Sequence, residues 1–295
     1  VKEQPVKSIN PSLLDLREGD CMDLIKEVPD DSVNLVFTSP PYAEQRKNEY
    51  NSISIDEYIE WFIPLGKEIR RILTPEGSFF LNINPHAEKG ERQTYVMELV
   101  VALRKQAGLR YLDEIVWYKS AAPRRWTYRL RDAWEPIFQF SKGRKPYINH
   151  ENMKIRTSNA FATKRGYATY NSLTGNIGGY HDITEQGDGW TISDNVLYFP
   201  TSLMVKDKHP HPAKFPVELS DFFVTCFCPP GGTVLDPFMG SGTCALSALK
   251  YSRNAIGFEL SPEYTEIARS RITEYVPPEV SKRPHTAPID IFAAE

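Results

Sequence analysis

Apolar and polar positions follow two alternating grammars along the chain. SVNLVF (32–37) is a short, nearly continuous apolar run; a stretch of helical period follows from about Asp56, then GSFFLNI (77–83), a second helical stretch near Thr94–Gln106, and DEIVWYK (113–119). Short runs bounded by turn residues read as buried strands and longer periodic stretches as helices, so this order predicts a sheet built from β–α units. Ser54 with Glu57 predicts a capping box for the first helix, Pro64 a kink or break inside it, and Thr74-Pro75-Glu76-Gly77 a turn after it.

From about Ala121 to Asp194 the pattern dissolves into a Gly-, Asn-, Thr- and Arg-rich stretch containing TGNIGGYHD and TEQGDGW, which reads as an inserted, loop-rich region. The grammar returns with FPVELSDFFVTCF (215–227), the turn PPGG (229–232), the strand TVLD (233–236), the helix TCALSALK (243–250) and the strand NAIGFEL (254–260). The expected organisation is therefore a first half at 1–120, an insertion at 121–195, a second half of the same domain at 196–276, and a Pro-rich tail at 277–295. No internal repeat is visible.

Composition adds little until it is read by position. With 295 residues, 41% apolar, 25% charged and a net charge of −3, the chain is an ordinary globular one that excludes neither a nucleic-acid nor a small-molecule partner. Lys119 to Tyr170, however, holds twelve basic and three acidic residues, a balance of +9 that leaves −12 for the rest. The four cysteines (Cys21, Cys226, Cys228, Cys244) form no CxxC pair and suit a reducing compartment. No apolar run approaches eighteen residues and Val1–Asp15 carries no signal-peptide pattern, so a cytoplasmic protein is expected. His209-Pro-His211 and Cys226-Phe-Cys228 lack partners at zinc spacing, and no metal is assigned.

Two short stretches carry candidate chemistry. Asp236-Pro237-Phe238-Met239-Gly240-Ser241-Gly242-Thr243 follows a strand and opens a helix, the layout of a nucleotide-type site at the carboxyl end of a strand. Glycine at 240 and 242 lets backbone approach a ligand, and the GxG pattern without a P-loop lysine favours a small adenosine compound over a dinucleotide or triphosphate. Glu259 ends the next strand, twenty-three residues after Asp236, where an acid suits ribose hydroxyls. A plain turn with a surface glutamate is the alternative for these residues taken singly. The second stretch, TSPPY (38–42), stops the apolar run with two prolines, which remove backbone donors and force an extended approach. A mere strand-ending turn is the alternative there.

DPFMGSGT followed by GFEL, with TSPPY earlier in the chain, resembles the S-adenosylmethionine-dependent amino-methyltransferases of DNA, in the group whose catalytic motif precedes the cofactor motif. LREGDCMDLI (16–25), EIVWYKS (114–120) and HPAKFP (211–216) extend the resemblance over most of the chain. It implies an α/β Rossmann-like methyltransferase fold: a mostly parallel sheet with one antiparallel strand, helices on both faces, a circularly permuted motif order and a target-recognition insertion. It also implies S-adenosylmethionine near Asp20 and Cys21 (adenine), Glu259 (ribose), Asp236, Lys214 and Pro216 (methionine end), and Phe238, Gly240, Gly242 and Thr243 (glycine loop).

In such an enzyme Ser39-Pro40-Pro41-Tyr42 is the catalytic corner. An exocyclic amine is a poor nucleophile because its lone pair is delocalised, so acceptors aimed at its N–H groups favour a pyramidal nitrogen and stabilise the developing charge. The Ser39 hydroxyl and Pro40 carbonyl are such acceptors, and Tyr42 offers a face for an extruded base. Within the resemblance, SPPY usually accompanies cytosine N4, while DPPY or NPPY accompanies adenine N6 or glutamine in protein. Duplex DNA is the expected partner; the resemblance also allows a cognate restriction endonuclease in the same system, with no stable complex between the two implied. Arg124, Arg125, Arg129, Arg131, Lys142, Arg144 and Lys145 in the basic stretch, with Arg46 and Lys47 after TSPPY, are the expected DNA contacts; a solvated charged face is the alternative for any one of them.

Overall fold

The structure is a computed structural model and describes residues 14–43, 53–85, 87–88, 91–119, 128, 130, 132–156, 166–170, 177–182, 190–200 and 215–275. Among these, eight strands form one sheet: β1 (Leu14–Glu18), β2 (Val33–Thr38), β3 (Leu73–Asn82), β4 (Arg110–Tyr118), β5 (Trp134–Ser141), β6 (Val196–Tyr198), β7 (Thr233–Asp236) and β8 (Asn254–Glu259). Their spatial order is β1-β8-β7-β2-β3-β5-β4-β6. Every neighbouring pair is parallel except those made by β5, which runs antiparallel to both β3 and β4.

Helices α1 (Cys21–Leu24), α2 (Ile55–Ile72), α3 (Tyr95–Lys105), α4 (Val217–Phe227), α5 (Thr243–Lys250) and α6 (Pro262–Tyr275) complete the α/β architecture. One core cluster joins α2 and α3 to Val36, Phe79, Leu81, Phe138 and Phe140 of the sheet. A second joins α4 and α5 to Leu35, Phe37, Phe80, Ile115 and Ile137. Alternate residues of β2, β3 and β5 thus feed opposite layers, which is why these strands read as continuous apolar runs. Phe223 of α4 lies 4.5 Å from Phe37 and 4.7 Å from Phe80, ring centre to ring centre. Burying rings of this size stabilises the fold by about 2–3 kcal/mol each.

Most of the predicted elements are found. Ser54 caps α2, its hydroxyl accepting from the Glu57 N–H at 3.3 Å and donating to the Glu57 carboxylate at 2.6 Å. Pro64 does not split α2, which runs unbroken from Ile55 to Ile72. Pro64 sits on the exposed side of α2, where its missing backbone donor is tolerated best. On the opposite side Gly66 admits Leu103 of α3, whose Cδ2 would stand 2.5 Å from a Cβ there. Thr74–Gly77 lies inside β3, at a register jump from Val33↔Leu73 to Leu35↔Ser78, so the expected turn is an outward excursion of a single strand.

The main departure concerns the insertion. Trp134–Ser141, assigned to it by pattern, is β5, sandwiched between β3 and β4 in the middle of one half of the sheet. Val196–Tyr198 adds the parallel edge strand β6. Among the described residues of the proposed insertion, two two-stranded pairings (154–156 with 190–192, 166–170 with 177–182) and a 3₁₀ turn at Glu151–Met153 stand outside the main sheet. Among the described residues no helix is long and apolar enough to cross a membrane.

Candidate active site

From β7 the chain proceeds to β8 on one side, and from β2 to β3 on the other. Strand order therefore reverses between β2 and β7, which puts the ligand crevice expected of an open α/β sheet at their carboxyl ends. Thr38 and Asp236, the last residues of these strands, meet across it: the Thr38 Oγ1 hydroxyl donates to Asp236 Oδ1 at 2.6 Å. The same oxygen accepts from the Phe238 N–H at 3.1 Å. Ser39-Pro40-Pro41-Tyr42 and the glycine loop thus begin side by side.

Asp236 is buried, and burial pushes its carboxyl up to about 6, against the opposing pull of the Thr38 hydroxyl and the Phe238 N–H. Cys244 Sγ donates to the Phe37 carbonyl at 3.2 Å. Burial, then Asp236, holds the Cys244 thiol well above its ordinary range, so it stays neutral. Cys21, Cys226 and Cys228 are likewise buried, free and pushed up to about 12, which leaves them inert as nucleophiles.

The loop itself is pinned from three directions. Glu259 accepts from the Gly240 N–H at 2.9 Å through Oε2 and from the Ser261 N–H at 2.9 Å through Oε1. Its carbonyl accepts from the Gly19 N–H at 2.9 Å, which draws Asp20 and Cys21 to the same strand end. Asp20 caps α1, accepting from the Met22 N–H at 2.8 Å. Behind the loop, the buried Arg271 of α6 donates to the Ser241 carbonyl at 3.1 Å and to the Thr243 hydroxyl at 2.9 Å.

Gly240 and Gly242 have φ of 52° and 76°, in the left-handed region that favours glycine. A Cβ on Gly242 would stand 2.9 Å from Cβ of Ala268, so helix packing as well as backbone conformation requires glycine there. Pro216 starts α4 beside Phe215, whose ring stacks on Phe37 at 4.7 Å. Phe238 packs 5.9 Å from Trp61. The crevice thus carries carboxylates from neighbouring strands, a left-handed glycine and an aromatic wall. Those groups fit a ligand with a cationic centre, hydroxyl donors and a flat base.

The proline corner is braced from below. Buried Tyr58 donates to the Pro41 carbonyl at 2.8 Å. Tyr42 is half-buried; its hydroxyl lies 3.4 Å from Ser39 Oγ and donates to Glu135 Oε2 at 3.4 Å. Burial, then the Glu135 charge, keeps the Tyr42 phenol well above its ordinary range and hence protonated. Glu135 Oε2 also accepts from Asn82 Nδ2 at 3.3 Å, and Oε1 is paired with the Lys119 ammonium.

Glu135, Asn82 and Lys119 had no assigned role in the sequence. The only hint was the acid of DAWEPIF, placed just before an apolar run, and the lysine that ends EIVWYK.

Other expected residues lie elsewhere. Lys142 donates to Asp31 Oδ1 at 2.5 Å and to the Arg71 carbonyl at 3.0 Å, just before the start of β2 and thus at the end of the strands opposite the proline corner. Arg144 and Lys145 follow it and are exposed there. A charge count cannot tell one end of the strands from the other, and the structure does not bring these three to the crevice. Arg46, Lys47, Arg124, Arg125, Arg129, Arg131 and Lys214 lie outside the described residues.

Comparison with known proteins agrees with this geometry. The DNA methylase family model (N6_N4_Mtase) matches residues 33–270. The type II methyltransferase M.PvuII of Proteus hauseri is 29% identical over 287 residues, covering 87% of this chain and 82% of the relative. The orphan methyltransferase M.BamHII of Bacillus amyloliquefaciens is 27% identical and covers 85% and 92%. Among solved structures, PvuII DNA methyltransferase (cytosine-N4-specific) superposes with a TM-score of 0.68 at 26% identity, over 90% of this chain and 91% of that one. A putative DNA modification methylase from Thermus thermophilus, complexed with S-adenosyl-L-methionine, shares the fold with a TM-score of 0.61 at 24% identity, over 90% and 96%. From Val33 in β2 to Ser270 in α6, the chain belongs to the N6/N4 DNA methylase family.

Proposed function

We propose that this chain transfers a methyl group from S-adenosylmethionine to N4 of a cytosine extruded from duplex DNA, at a specific sequence. The observation that carries the reading is the Thr38–Asp236 hydrogen bond of 2.6 Å, which sets the proline corner against the glycine loop at the point where strand order reverses. S-adenosylmethionine supplies, when bound, a methyl group on a positively charged sulfur, open to in-line attack.

The chain's own residues hold and orient. Asp236 offers a carboxylate at the cationic end of the crevice, Glu259 a carboxylate at the ribose position, and the Asp20–Cys21 turn the wall beside the base. Lys214 and Pro216 remain the proposed contacts of the methionine end. The Ser39 hydroxyl and the Pro40 carbonyl accept the amino hydrogens of the target base, which opposes delocalisation of its lone pair. Tyr42 stacks on the extruded ring, and Tyr58 stiffens the corner through the Pro41 carbonyl. No covalent enzyme intermediate is involved.

Cytosine is favoured over adenine by Ser39 at the head of SPPY and by the name of the PvuII enzyme, cytosine-N4-specific. Adenine N6 is the second reading, since the family includes both chemistries in its name. The relatives named type II methyltransferases support a protective role opposite a restriction endonuclease, in the cytoplasm of a bacterial cell. Arg124, Arg125, Arg129 and Arg131, with Arg46 and Lys47, remain the proposed phosphate and base contacts.

Incubation with tritium-labelled S-adenosylmethionine and, separately, duplex DNA, RNA and protein tests the reaction class. Label is expected in duplex DNA alone. Label in RNA or protein, with none in DNA, contradicts the proposal.

A further inference from the structure

We infer that Glu135 is a positioning residue for methyl transfer: through Tyr42 it keeps the Ser39 hydroxyl turned so that its lone pairs face the substrate amine. The inference rests on the proposed amino-group transfer and adds the device that orients its acceptor.

The argument is one of donors and acceptors. A carboxylate can only accept, and every partner of Glu135 in the site is a donor: Lys119 at Oε1, Asn82 at 3.3 Å and Tyr42 at 3.4 Å on Oε2. Tyr42 must therefore spend its single hydrogen on Glu135. The 3.4 Å contact between Tyr42 and Ser39 can be satisfied from either side by chemistry alone, but that commitment leaves Tyr42 only as acceptor, so Ser39 is the donor. With its hydrogen directed at Tyr42, Ser39 presents lone pairs to whatever enters the crevice. A substrate amine, which brings N–H donors, meets an acceptor rather than a competing O–H.

These contacts are long, as hydrogen bonds of a reaction site often are before substrate closes it. Further contacts tie the supporting frame. Asn82 also donates to the Pro136 carbonyl at 3.1 Å, and Lys119 lies 4.5 Å over the Trp117 ring. Glu135 and Lys119 are largely buried, with side-chain exposures of 14% and 19%. Their pair sits at the carboxyl ends of β3 and β4, alongside that of β2, so β5 delivers an acid to the corner from the opposite chain direction. A buried ion pair adds little to stability by itself, and a surface role does not explain its place behind the catalytic tyrosine.

A double-mutant cycle tests this with the full chain, duplex DNA and tritium-labelled S-adenosylmethionine in single turnover. E135A should lower the rate about 10–100-fold, the value of a charge-assisted hydrogen bond acting on a reacting group. S-adenosylmethionine affinity should stay within about twofold, because Glu135 lies outside the cofactor crevice. Y42F removes the same relay, so E135A placed in that background should cost little more. E135Q, whose carbonyl still accepts from Tyr42, should recover part of the rate. If E135A does not fold, the cycle is run with E135Q and Y42F, and a loss present with Tyr42 but absent in the Y42F background is expected.

Equal losses in both backgrounds, or no loss from E135A or, where that variant does not fold, from E135Q, would overturn the inference. A wild-type chain that methylates no DNA would instead sink the proposed function, which separates the two failures.

Discussion

Thr38 and Asp236 are 198 residues apart in sequence and share a buried hydrogen bond of 2.6 Å. That bond is the seam of the molecule: one partner leads into the proline corner and the other into the glycine loop. Removing the donor leaves a buried carboxyl short of a partner. T38V should therefore destabilise the fold by about 1.5–3 kcal/mol, as a shift of the urea midpoint at unchanged slope, and weaken cofactor binding with it.

The raised Asp236 carboxyl makes stability depend on pH. Its ordinary value is 3.8 and burial lifts it to about 6, so the fold favours the protonated form. The resulting stability is complete below about pH 4 and is lost as pH rises through about 6, a change on the order of 3 kcal/mol. D236N should flatten this part of the profile in urea titrations at pH 4 to 8. A cationic ligand favours the ionised form, so wild-type affinity for S-adenosylmethionine should rise over the same window and D236N should lose that rise.

Gly242 combines a φ of 76° with a helix face 2.9 Å from where its Cβ would be. G242A meets both penalties and should cost about 2–4 kcal/mol, visible as a lower thermal midpoint. Because the strain falls on the loop that Glu259 and Arg271 pin, cofactor affinity should fall as well.

Lys142 and the arginine pair at 124 and 125 should separate cleanly in DNA binding. Lys142 is paired with Asp31 far from the crevice, so K142A should leave the salt dependence of DNA affinity unchanged. R124A with R125A should weaken binding and reduce the slope of log affinity against log salt by about 1 for each phosphate no longer neutralised. An unchanged slope would remove the two arginines from the interface.

What was legible in the sequence is what local pattern encodes. TVLD and TCALSALK emerge as β7 and α5 with the expected bounds, and Ser54 caps α2 as its spacing with Glu57 requires. WEPIFQFS was hidden because Pro136 and an arginine-rich approach argue against a strand, whereas pairing on both sides, to Leu81 and Val116 among others, secures it. The Glu135 cluster could not be read either. It exists only because register sets Trp117 opposite Glu135 and Asn82 opposite Ile137, and register is a property of three strands together. Lys142 shows a related limit: its charge belongs to the basic stretch, while β5 carries it to Asp31, before the start of β2 and away from the Thr38–Asp236 junction.

Mass analysis of nucleosides from duplex DNA treated with this chain and S-adenosylmethionine tests the central claim most directly. N4-methylcytosine is the predicted product, formed in wild type and abolished when Ser39 is replaced by alanine. N6-methyladenine as the sole methylated nucleoside would contradict the assignment of base, and no methylated nucleoside at all would contradict the account of the crevice.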